Sequence, residues 1–449
     1  MENGIVLKKL NKSNQNEIEK AVQKLKENEK LLLEFDNSLS MKHFCQVDVR
    51  DNLFCKREIE ELLDKLGLVY RKFYYPLPDC EDTNVIFTDK HLPDAETLSR
   101  NIVFYAENDI KVYEQNQEFE KLLVQDPKLF PIFANSFIVE CSKWQFEPNP
   151  AEFISYSNMR KEEYRIKTVI AGDKVYKTAA SEKSKKHIDQ IKKNIDLLNQ
   201  LGFETLDSYE EDKIISRYQK GKQTLDKQIL QLLKENKEEK ANQIIDHLVE
   251  LLKEKLVVLE NSENNVFDKY QISYQKEEIA KMTFVKYGLW DLVFPNIFYI
   301  EDKYYFYDQE WFDENLPLEY IIYRSFYYNS KLKELMVNRF SIDSLEVELF
   351  KKLDDKIQEK IRSGENWKRH TYTSDVWTQI YKSKEQIQNI TEDCKKLLLE
   401  KDSRIKFLED NMEQTCNILR ETENELNNMK NSLSWKVTKP LRGVRKILK

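Results

Sequence analysis

Glycine and proline are scarce in this chain, with 8 glycines and 10 prolines among its 449 residues. So low a content argues against an all-β protein, which needs many tight turns, and against long disordered linkers. No Gly-x-Gly occurs anywhere in the sequence, which argues against the glycine-rich loops that bring bare backbone close to nucleotide phosphates. Side chains would have to replace such a loop in any phosphate site of this protein.

The cysteines and the hydropathy pattern exclude further classes of protein. No cysteine forms Cys-x-x-Cys or pairs with a histidine at metal-site spacing, so we predict reduced thiols rather than disulfides or a zinc site. No apolar run approaches the ~20 residues that span a bilayer, and the N-terminus lacks a signal peptide's apolar stretch. We expect a cytoplasmic protein, attached at most peripherally to the inner face of the cell membrane. The scattered cysteines are Cys45, Cys55, Cys80, Cys141, Cys394 and Cys416.

Charged residues make up 34% of the sequence and hydrophobic residues 40%, a balance that suits long solvated helices and sizeable cores. At this length we expect two or three domains. The net charge of −7 hides an asymmetry, because residues 430–449 carry seven lysines or arginines and no acid. That tail is suited to binding an anionic surface. The rest of the chain is acidic and lacks the basic patches that are typical of nucleic-acid-binding proteins. Nucleic acid is therefore not an expected partner.

Residues 1–141 alternate short apolar runs with amphipathic segments, which predicts an α/β half-domain. Strands are expected over 5–10, 31–35, 69–75 and 135–141, and helices over 14–28 and 56–66. Gly67 is the expected stop of the second helix. Pro76 and Pro78 are expected to break the chain after the third strand.

This region resembles the second half of a class I S-adenosylmethionine-dependent methyltransferase, most strongly those found with bacterial surface-glycan genes. The segments 31–37, 53–63, 74–79 and 133–139 carry the resemblance, which implies a partial Rossmann-like fold. In that family the glycine-rich loop and the acid that hold the cofactor lie on the first strands, which would precede residue 1. We therefore expect no S-adenosylmethionine binding. The piece belongs either to a truncated chain or to a structural platform, and we favour the platform.

Asp291, Asn296 and Asp308 have the most informative spacing in the chain. Asp-x-x-x-x-Asn, a short hairpin and an aromatic strand ending in Asp resemble the phosphotransfer site of protein kinases and, more closely, of small-molecule kinases. The resemblance covers residues 150–340 and implies a bilobal kinase-like domain that uses ATP and Mg²⁺. Asp291 would be the base for an acceptor hydroxyl. Asn296 and Asp308 would supply oxygen ligands to Mg²⁺. Glu310 lies two residues after Asp308, so on a strand it would face the same side and could be a further ligand.

The start of the same region carries the candidate phosphate contacts. Lys177, on a strand predicted over 174–178, resembles the kinase lysine that touches the nucleotide α- and β-phosphates. Ser157 and Arg160 lie in the glycine-free loop 157–163 and would take the place of a glycine cradle. A helix predicted over 182–201 follows, but no acid on it is placed to pair with Lys177. We predict that His187 on this helix is a hydrogen-bonded packing residue.

From residue 341 onward the pattern is helical. We predict a helical linker over 341–382, a coiled coil over 383–433 and a basic amphipathic tail over 434–449. One heptad seam is apolar and the other is mixed, a pattern that fits self-association or a helix packed on its own protein. The apolar seam is Leu398, Ile405, Met412, Leu419, Leu426 and Leu433, and the mixed seam is Cys394, Lys401, Leu408, Thr415, Thr422 and Met429.

The tail Ser-x-Ser-Trp-Lys-x-Thr-x-Pro-Leu-Arg, over 432–442, resembles a tail that follows a coiled coil on bacterial glycosyltransferases and related surface-polysaccharide enzymes. Its tryptophan, aliphatic residues and cations have the composition of an interfacial membrane helix. The resemblance implies contact with an anionic membrane surface or with glycan-synthesis enzymes.

The sequence thus predicts an α/β plus α+β protein with a partial Rossmann-like methyltransferase half-domain, a protein-kinase-like bilobal domain and a long C-terminal helix. The leading hypothesis is a phosphotransferase that moves phosphate from Mg-ATP to a sugar or small hydroxyl acceptor in bacterial cell-surface polysaccharide synthesis. A non-catalytic scaffold that assembles glycan-synthesis enzymes at the membrane is the alternative. A fragment of a methyltransferase is a further one.

Overall fold

The computed structural model describes residues 4–44, 51–94, 98, 122–123, 125–260, 263–327, 332, 344–364 and 384–438. The chain forms two compact units, Met1–Thr373 and Ser374–Lys449. The first is mixed α/β and the second is helical. Cys45, the side chains of Cys394 and Trp435, the predicted linker beyond residue 364 and the tail beyond residue 438 lie outside the described residues.

The strands of the first unit follow one another in chain order with short helices between them. They are β1 (Gly4–Leu10), β2 (Lys30–Asp36), β3 (Tyr70–Leu77), β4 (Val85–Phe87), β5 (Ser136–Ser142), β6 (Phe153–Tyr156), β7 (Ile166–Ala171), β8 (Lys174–Ala179), β9 (Asp207–Glu210), β10 (Lys213–Arg217), β11 (Phe284–Gly288), β12 (Ile297–Ile300), β13 (Lys303–Phe306) and β14 (Asp313–Pro317).

Helices connect these strands and continue to the end of the described chain. They are α1 (Asn16–Lys24), α2 (Met41–Phe44), α3 (Lys56–Lys65), α4 (Phe130–Phe133), α5 (Lys185–Gln200), α6 (Leu225–Lys234), α7 (Glu238–Lys255), α8 (Val266–Lys269), α9 (Lys276–Ile279), α10 (Leu318–Phe326), α11 (Ser344–Ile361), α12 (Lys384–Asn431) and α13 (Leu433–Val437). The predicted helices over 14–28, 56–66 and 182–201 correspond to α1, α3 and α5, the last with a 3₁₀ turn at Glu182–Ser184 before it.

Ten of the described strands form one sheet in the order β1-β2-β5-β3-β4-β6-β7-β8-β10-β9. Strands β1 and β2 pair in parallel, and α1 makes the crossover between them, as a Rossmann-like unit requires. The remaining ladders of this sheet are antiparallel. The sheet continues from β4 into β6 and so runs through the predicted boundary between residues 141 and 150 without a break.

The expectation that Pro76 breaks the chain is wrong. Strand β3 continues through Pro76 to Leu77 and pairs with β4, with Pro76 opposite Ile86. Its other ladder, with β5, ends at Tyr74. At Pro76 the strand is therefore paired on one side only. A strand tolerates a residue without a backbone N–H at such a position. Gly67 does end α3, and its φ of 66° is the left-handed conformation that favours glycine there.

Helix α5 packs on the half of the sheet that β7, β8 and β10 form. Its apolar stripe, Ile188, Ile191 and Ile195, is buried against Ile166 of β7 and Ile214 of β10. The spacing of those residues at i, i+3 and i+7 puts them on one face of the helix, and this is why the sequence predicts the stripe. Asp189 and Asp196 are exposed, and Asp196 accepts a hydrogen bond from the Tyr209 hydroxyl of β9 at 3.0 Å.

The remainder of the first unit packs around a larger core below this part of the sheet. Helix α7, the hairpin β12–β13, the ladder β11–β14 and helices α10 and α11 contribute buried side chains to one cluster. The hairpin carries the aromatic strand of the motif, and β11 leads directly into Asp291. Phe306, the last residue of β13, is fully buried, and Gln309 and Glu310 after Asp308 are buried as well. Buried side chains therefore hold the chain in place on both sides of Asp308.

The second unit contains the long helix α12 and the short helix α13. The six apolar-seam residues from Leu398 to Leu433 are between 42% and 83% exposed, so neither helix covers them. In the described part of the chain no helix is both long and apolar enough to cross a membrane.

Candidate functional site

A cavity of about 780 Å³ opens between the sheet and the larger core. One wall comes from β6, β7 and β8. Another comes from the end of β10 and the segment 218–223 after it, and the floor comes from β12 and the residues after β13. Ile166, Val175, Leu206 and Phe298 give one part of the cavity an apolar lining, and Phe298 stacks on Tyr307 with ring centroids 5.1 Å apart. The lining also contains the cations Arg160, Lys177, Arg217, Lys222 and Lys227 and the acids Asp94, Asp308 and Glu310.

Lys177 and Asp308 meet in this cavity although 131 residues separate them in the chain. The Lys177 ammonium forms an ion pair with the Asp308 carboxylate and lies 3.6 Å from Glu310 Oε1. Burial alone would lower the pKa of Lys177, but Asp308, Glu310 and Asp207 outweigh it and raise that pKa. Lys177 is therefore a fixed positive charge facing the cavity, the property that a phosphate contact needs.

Asp308 is held by its backbone as well as by its side chain. Its φ is 62°, a left-handed conformation that costs energy for a residue other than glycine. The Asp308 N–H donates to Asp207 Oδ2 at 2.8 Å, and Ser216 donates its hydroxyl to the other oxygen of Asp207. Asp207 is buried at the start of β9, so it fixes the turn that points the Asp308 carboxylate toward Lys177.

Glu310 lies beside Asp308, but not for the reason that the sequence suggests. Strand β13 ends at Phe306, so the alternation of side chains along a strand does not apply to residues 308–310. The Glu310 carboxylate nevertheless reaches the same lysine. It forms an ion pair with Arg160, and its Oε2 lies 3.3 Å from His187 Nε2, within hydrogen-bond distance. Burial works to raise the pKa of Glu310, but Arg160, His187 and Lys177 hold it well below the usual range.

Ser157 and Arg160 lie in the loop between β6 and β7, as predicted, and both line the cavity. The Ser157 hydroxyl accepts a hydrogen bond from the Ile166 N–H at 2.7 Å, so it ties the two ends of the loop together. The Arg160 guanidinium turns inward to Glu310 and lies 5.7 Å from the Trp311 ring centroid. The loop is thus shaped by side-chain contacts where a glycine-rich loop would rely on bare backbone.

Asp291 lies behind this cavity and is not among the residues that line it. Its side chain is 11% exposed, with Oδ1 3.4 Å from Arg324 Nη1 and Oδ2 accepting from the Glu310 N–H at 3.3 Å. Burial raises the pKa of Asp291 to about 7, although Arg324 acts in the opposite direction. A carboxyl with such a pKa can accept a proton near neutral pH.

Asn296 connects the two ends of the site. Its side-chain N–H donates to the Asp291 carbonyl at 3.1 Å, and its own carbonyl accepts from the Tyr307 N–H at 3.1 Å. Asn296 therefore lies directly beside the residue that precedes Asp308. Because its amide nitrogen is engaged with Asp291, the side-chain oxygen is the atom that can serve a metal.

The oxygen donors suit Mg²⁺ better than a transition metal. Asp308 offers a carboxylate that is 33% exposed at the cavity wall. Asn296 carries an amide oxygen, but it is not among the residues that line the cavity. Within the described ranges no cluster of three or more His, Cys, Asp or Glu side chains is arranged to hold a metal alone. Mg²⁺ binds with few protein ligands where phosphate and water complete its shell, so these residues fit a metal that arrives with a nucleotide.

Sequence reasoning missed three residues that organise the site: Asp207, His187 as a partner of Glu310, and Arg324. No local pattern marks Asp207, which begins β9, as a partner of Asp308. His187 was predicted to be a hydrogen-bonded packing residue, and it is buried with a hydrogen bond, but its partner lies 123 residues away. Arg324 lies on α10 in a run of aromatic and aliphatic residues, and only the fold brings it to Asp291.

No protein-family model matches the sequence, and no curated protein matches it. Among solved structures, the chain is similar to a choline/ethanolamine kinase family protein from Mesorhizobium loti. The two are 13% identical over 42% of this chain and 73% of that chain, with a TM-score of 0.25. A superposition that loose adds no weight to the geometry of the site.

Proposed function

We propose that this protein is a phosphotransferase that binds a nucleoside triphosphate with Mg²⁺ in the cavity between the sheet and the larger core. The observation that carries the proposal is the pairing of Lys177 from β8 with Asp308, next to the loop that holds Ser157 and Arg160. The apolar part of the cavity suits a flat base. The cations and Asp308 suit a metal-bound triphosphate.

The residues of the chain have distinct tasks in this reaction. Lys177 would orient the phosphates. Asp308 and Asn296 would hold Mg²⁺, which would supply positive charge to the phosphate oxygens. Asp291 accepts the proton of the acceptor hydroxyl as its oxygen bonds to the γ-phosphorus and the bond to the β-phosphate oxygen breaks. A nucleoside diphosphate leaves. The pKa of Asp291, about 7, makes the ionised form available at neutral pH.

The acceptor belongs to the same proposal. A sugar or another small molecule with a free hydroxyl, in bacterial surface-polysaccharide synthesis, agrees with the tail resemblance found in the sequence. The tail itself lies mostly outside the described residues. Phosphate incorporation into a panel of simple sugars and small alcohols tests this part, and a strict preference for peptide hydroxyls would contradict it.

One observation favours a second candidate, a non-catalytic scaffold. Asp291 is covered, and both its carboxylate oxygens already have partners in Arg324 and the Glu310 backbone. A protein that binds nucleotide but never exposes Asp291 would bind without turnover. Nucleotide binding with no detectable nucleoside diphosphate release, with or without sugars, would select this candidate.

Binding is tested with the full chain by titration calorimetry and thermal unfolding, using ATP with Mg²⁺. We expect Asp308→Asn to weaken Mg-ATP binding by at least about 100-fold, because it removes a metal ligand and leaves Lys177 without its main partner. Glu314→Gln is the matched control, since Glu314 lies exposed on β14 outside the cavity. If the unchanged chain gains no thermal stability from Mg-ATP, the proposed function fails.

Self-association is proposed for the second unit. In a parallel pair of α12 helices the exposed seam from Leu398 to Leu433 would be buried. The same register places Arg404 opposite Glu409 of the second copy, and Glu425 opposite Lys430, so charges flanking the seam are complementary. Leu419→Asp should lower the mass measured by light scattering to that of one chain. An unchanged mass in that variant would contradict pairing through this seam.

A further inference from the structure

Three basic side chains from three different elements converge on the carboxylate of Glu310. Arg160 comes from the loop between β6 and β7, Lys177 from β8 and His187 from the first turn of α5. Arg160 and His187 share Oε2, and Lys177 faces Oε1. The Glu310 side chain is only 8% exposed, so these partners and not water satisfy its charge.

We propose that Glu310 is a positioning residue that holds the phosphate-covering loop and Lys177 in place, and that it does not bind the metal. This inference rests on the proposed function and assigns Glu310 another task than the sequence suggests. Both oxygens of Glu310 already have cationic partners. A metal at Glu310 Oε2 would displace Arg160 and leave its guanidinium without its ion-pair partner, which is unfavourable.

Asp308 provides the contrast within the same site. Its carboxylate pairs with Lys177 alone among the ion pairs seen in the described chain, and a third of its side chain is exposed at the cavity wall. A metal can reach Asp308 without stripping several buried partners from it. Both acids line the cavity, but Asp308 is the more exposed of the two and Glu310 has more ion-pair partners within the protein, so their tasks differ.

Helix α5 supports this division of tasks. The acids Asp189 and Asp196 on α5 do not reach Lys177, and the helix instead offers hydrogen-bond donors to the segment after Asp308. Asn194 donates to the Gln309 carbonyl at 3.1 Å, and His187 Nε2 must carry a proton to bind the ionised Glu310. The carboxylate that orients Lys177 thus comes from the opposite side of the cavity, and α5 positions that carboxylate.

The loop itself explains why such an anchor is needed. It has no glycine, so its backbone cannot settle closely over phosphates without side chains that hold it. Arg160 ties its middle to Glu310. Two backbone hydrogen bonds, Lys161 N–H to the Ile361 carbonyl at 2.7 Å and Ser363 N–H to the Met159 carbonyl at 2.9 Å, tie its outer side to the end of α11. The ion pair of Arg160 with Glu310 connects the loop to the residues after β13, at the floor of the cavity.

The test compares Glu310→Gln with Asp308→Asn and with the control Glu314→Gln in the full chain. A non-hydrolysable ATP analogue is titrated in the presence of Mg²⁺ and again with EDTA. We expect Glu310→Gln to weaken binding about tenfold in both conditions, as the loss of a charge-assisted hydrogen bond predicts. The ratio of the two affinities should stay that of the unchanged chain. Asp308→Asn should reduce that ratio toward one. A Glu310→Gln variant that loses the ratio in the same way would overturn the proposal.

A second measurement does not need nucleotide at all. Hydrogen exchange of the ligand-free chain should be faster in the loop 157–163 of Glu310→Gln and unchanged over 297–306 in β12 and β13. Arg160→Gln, which alters a more exposed residue, should speed exchange in the same loop, and the double variant should add little. Unchanged loop exchange in both single variants would reject the anchor. Failure of ATP binding with faster loop exchange would reject only the proposed function.

Discussion

The two ends of the candidate site are built differently, although residues 291–310 supply acids to both. At the cavity end, Lys177 and Asp308 pair in a space that is open to a ligand. At the other end, Asp291 is buried under Arg324, whose guanidinium lies 4.3 Å from the centroid of the Trp290 ring. The end proposed to bind phosphate is therefore open in this structure. At the other end, Asp291 would have to be uncovered before an acceptor hydroxyl could reach it.

A column of aromatic and cationic side chains connects the two ends. Trp311 stacks on Trp290 with ring centroids 5.6 Å apart and planes 9° apart. Arg160 lies over the first ring and Arg324 lies over the second. Because each arginine also pairs with an acid of the site, a shift of one ring would be felt at both ends. Packed side chains therefore connect the two ends, although different acids belong to each end.

Asp291→Asn should produce the largest effect and would separate the two ends. We expect turnover to fall by about 10²–10⁴-fold, since a positioned base contributes that much to proton transfer. Nucleotide affinity should not change, because Asp291 does not line the cavity. Initial rates of nucleoside diphosphate release measure the turnover, and calorimetric titration of the same preparation measures the nucleotide affinity.

Asp308→Asn is the matched variant at the other end. We expect this variant to reduce nucleotide affinity more than turnover, the opposite of Asp291→Asn. If Asp291→Asn lost nucleotide affinity as severely as Asp308→Asn, the division of the site into two ends would be wrong. If the unchanged chain bound nucleotide and never turned over, Asp291 would be a remnant and the scaffold candidate would stand.

The sequence predicted local features of this site better than long-range ones. The hairpin that joins Asn296 to Asp308, and the strand of Lys177 with the helix that follows it, are predicted from periodicity and turn residues close in the chain. The strand predicted to end in Asp308 ends at Phe306, because Asp207, about 100 residues away, holds the Asp308 backbone in a turn. No local pattern reports such a contact.

The same limit explains the missing partner of Lys177. A search along α5 for an acid finds none that faces inward, because the partners are Asp308 and Glu310 on a different element. The continuation of the sheet from β4 into β6 was also beyond sequence reasoning, since it depends on which edge strand is free after folding. The roles of the site residues and the methyltransferase relationship remain predictions.

The free energy of unfolding should depend on pH through the buried Asp291, with a smaller effect than those above. Burial raises the pKa of Asp291 from 3.8 to about 7, so the folded state holds that proton more tightly than the unfolded state. Its contribution to stability is therefore full below pH 4 and is lost as the pH rises through 7. At pH 8 Asp291→Asn should be more stable than the unchanged chain by on the order of 2 kcal/mol.

Thermal unfolding at pH 4.5 and pH 8 checks this expectation, and Asp212→Asn, in the exposed turn between β9 and β10, is the control. The difference between Asp291→Asn and the unchanged chain should appear at pH 8 and shrink at pH 4.5. A variant that is less stable at pH 8 would mean that Arg324 stabilises the ionised Asp291 more than burial destabilises it.

Substitution of two glycines, one near each end of the site, should give the smallest effects. Gly288 precedes Asp291 on β11, and a Cβ there would lie 2.3 Å from the Asp313 carbonyl and 2.5 Å from Leu316 Cβ. Gly221 lines the cavity with a φ of 74° and has nothing within 4 Å of such a Cβ. Gly288→Ala should therefore destabilise the protein by about 1–3 kcal/mol through overpacking, and Gly221→Ala by only about 1 kcal/mol through backbone strain.

Melting temperatures rank the two variants, and titration with Mg-ATP shows where each acts. We expect Gly288→Ala to lower the melting temperature more and to reduce turnover by shifting Asp291, while Gly221→Ala mainly weakens nucleotide binding. Equal melting temperatures would show that the β11–β14 ladder yields to the added methyl group. In that case the rigid placement of Asp291 behind the cavity could not come from this ladder, and the packing of Trp290 between Arg324 and Trp311 would have to supply it.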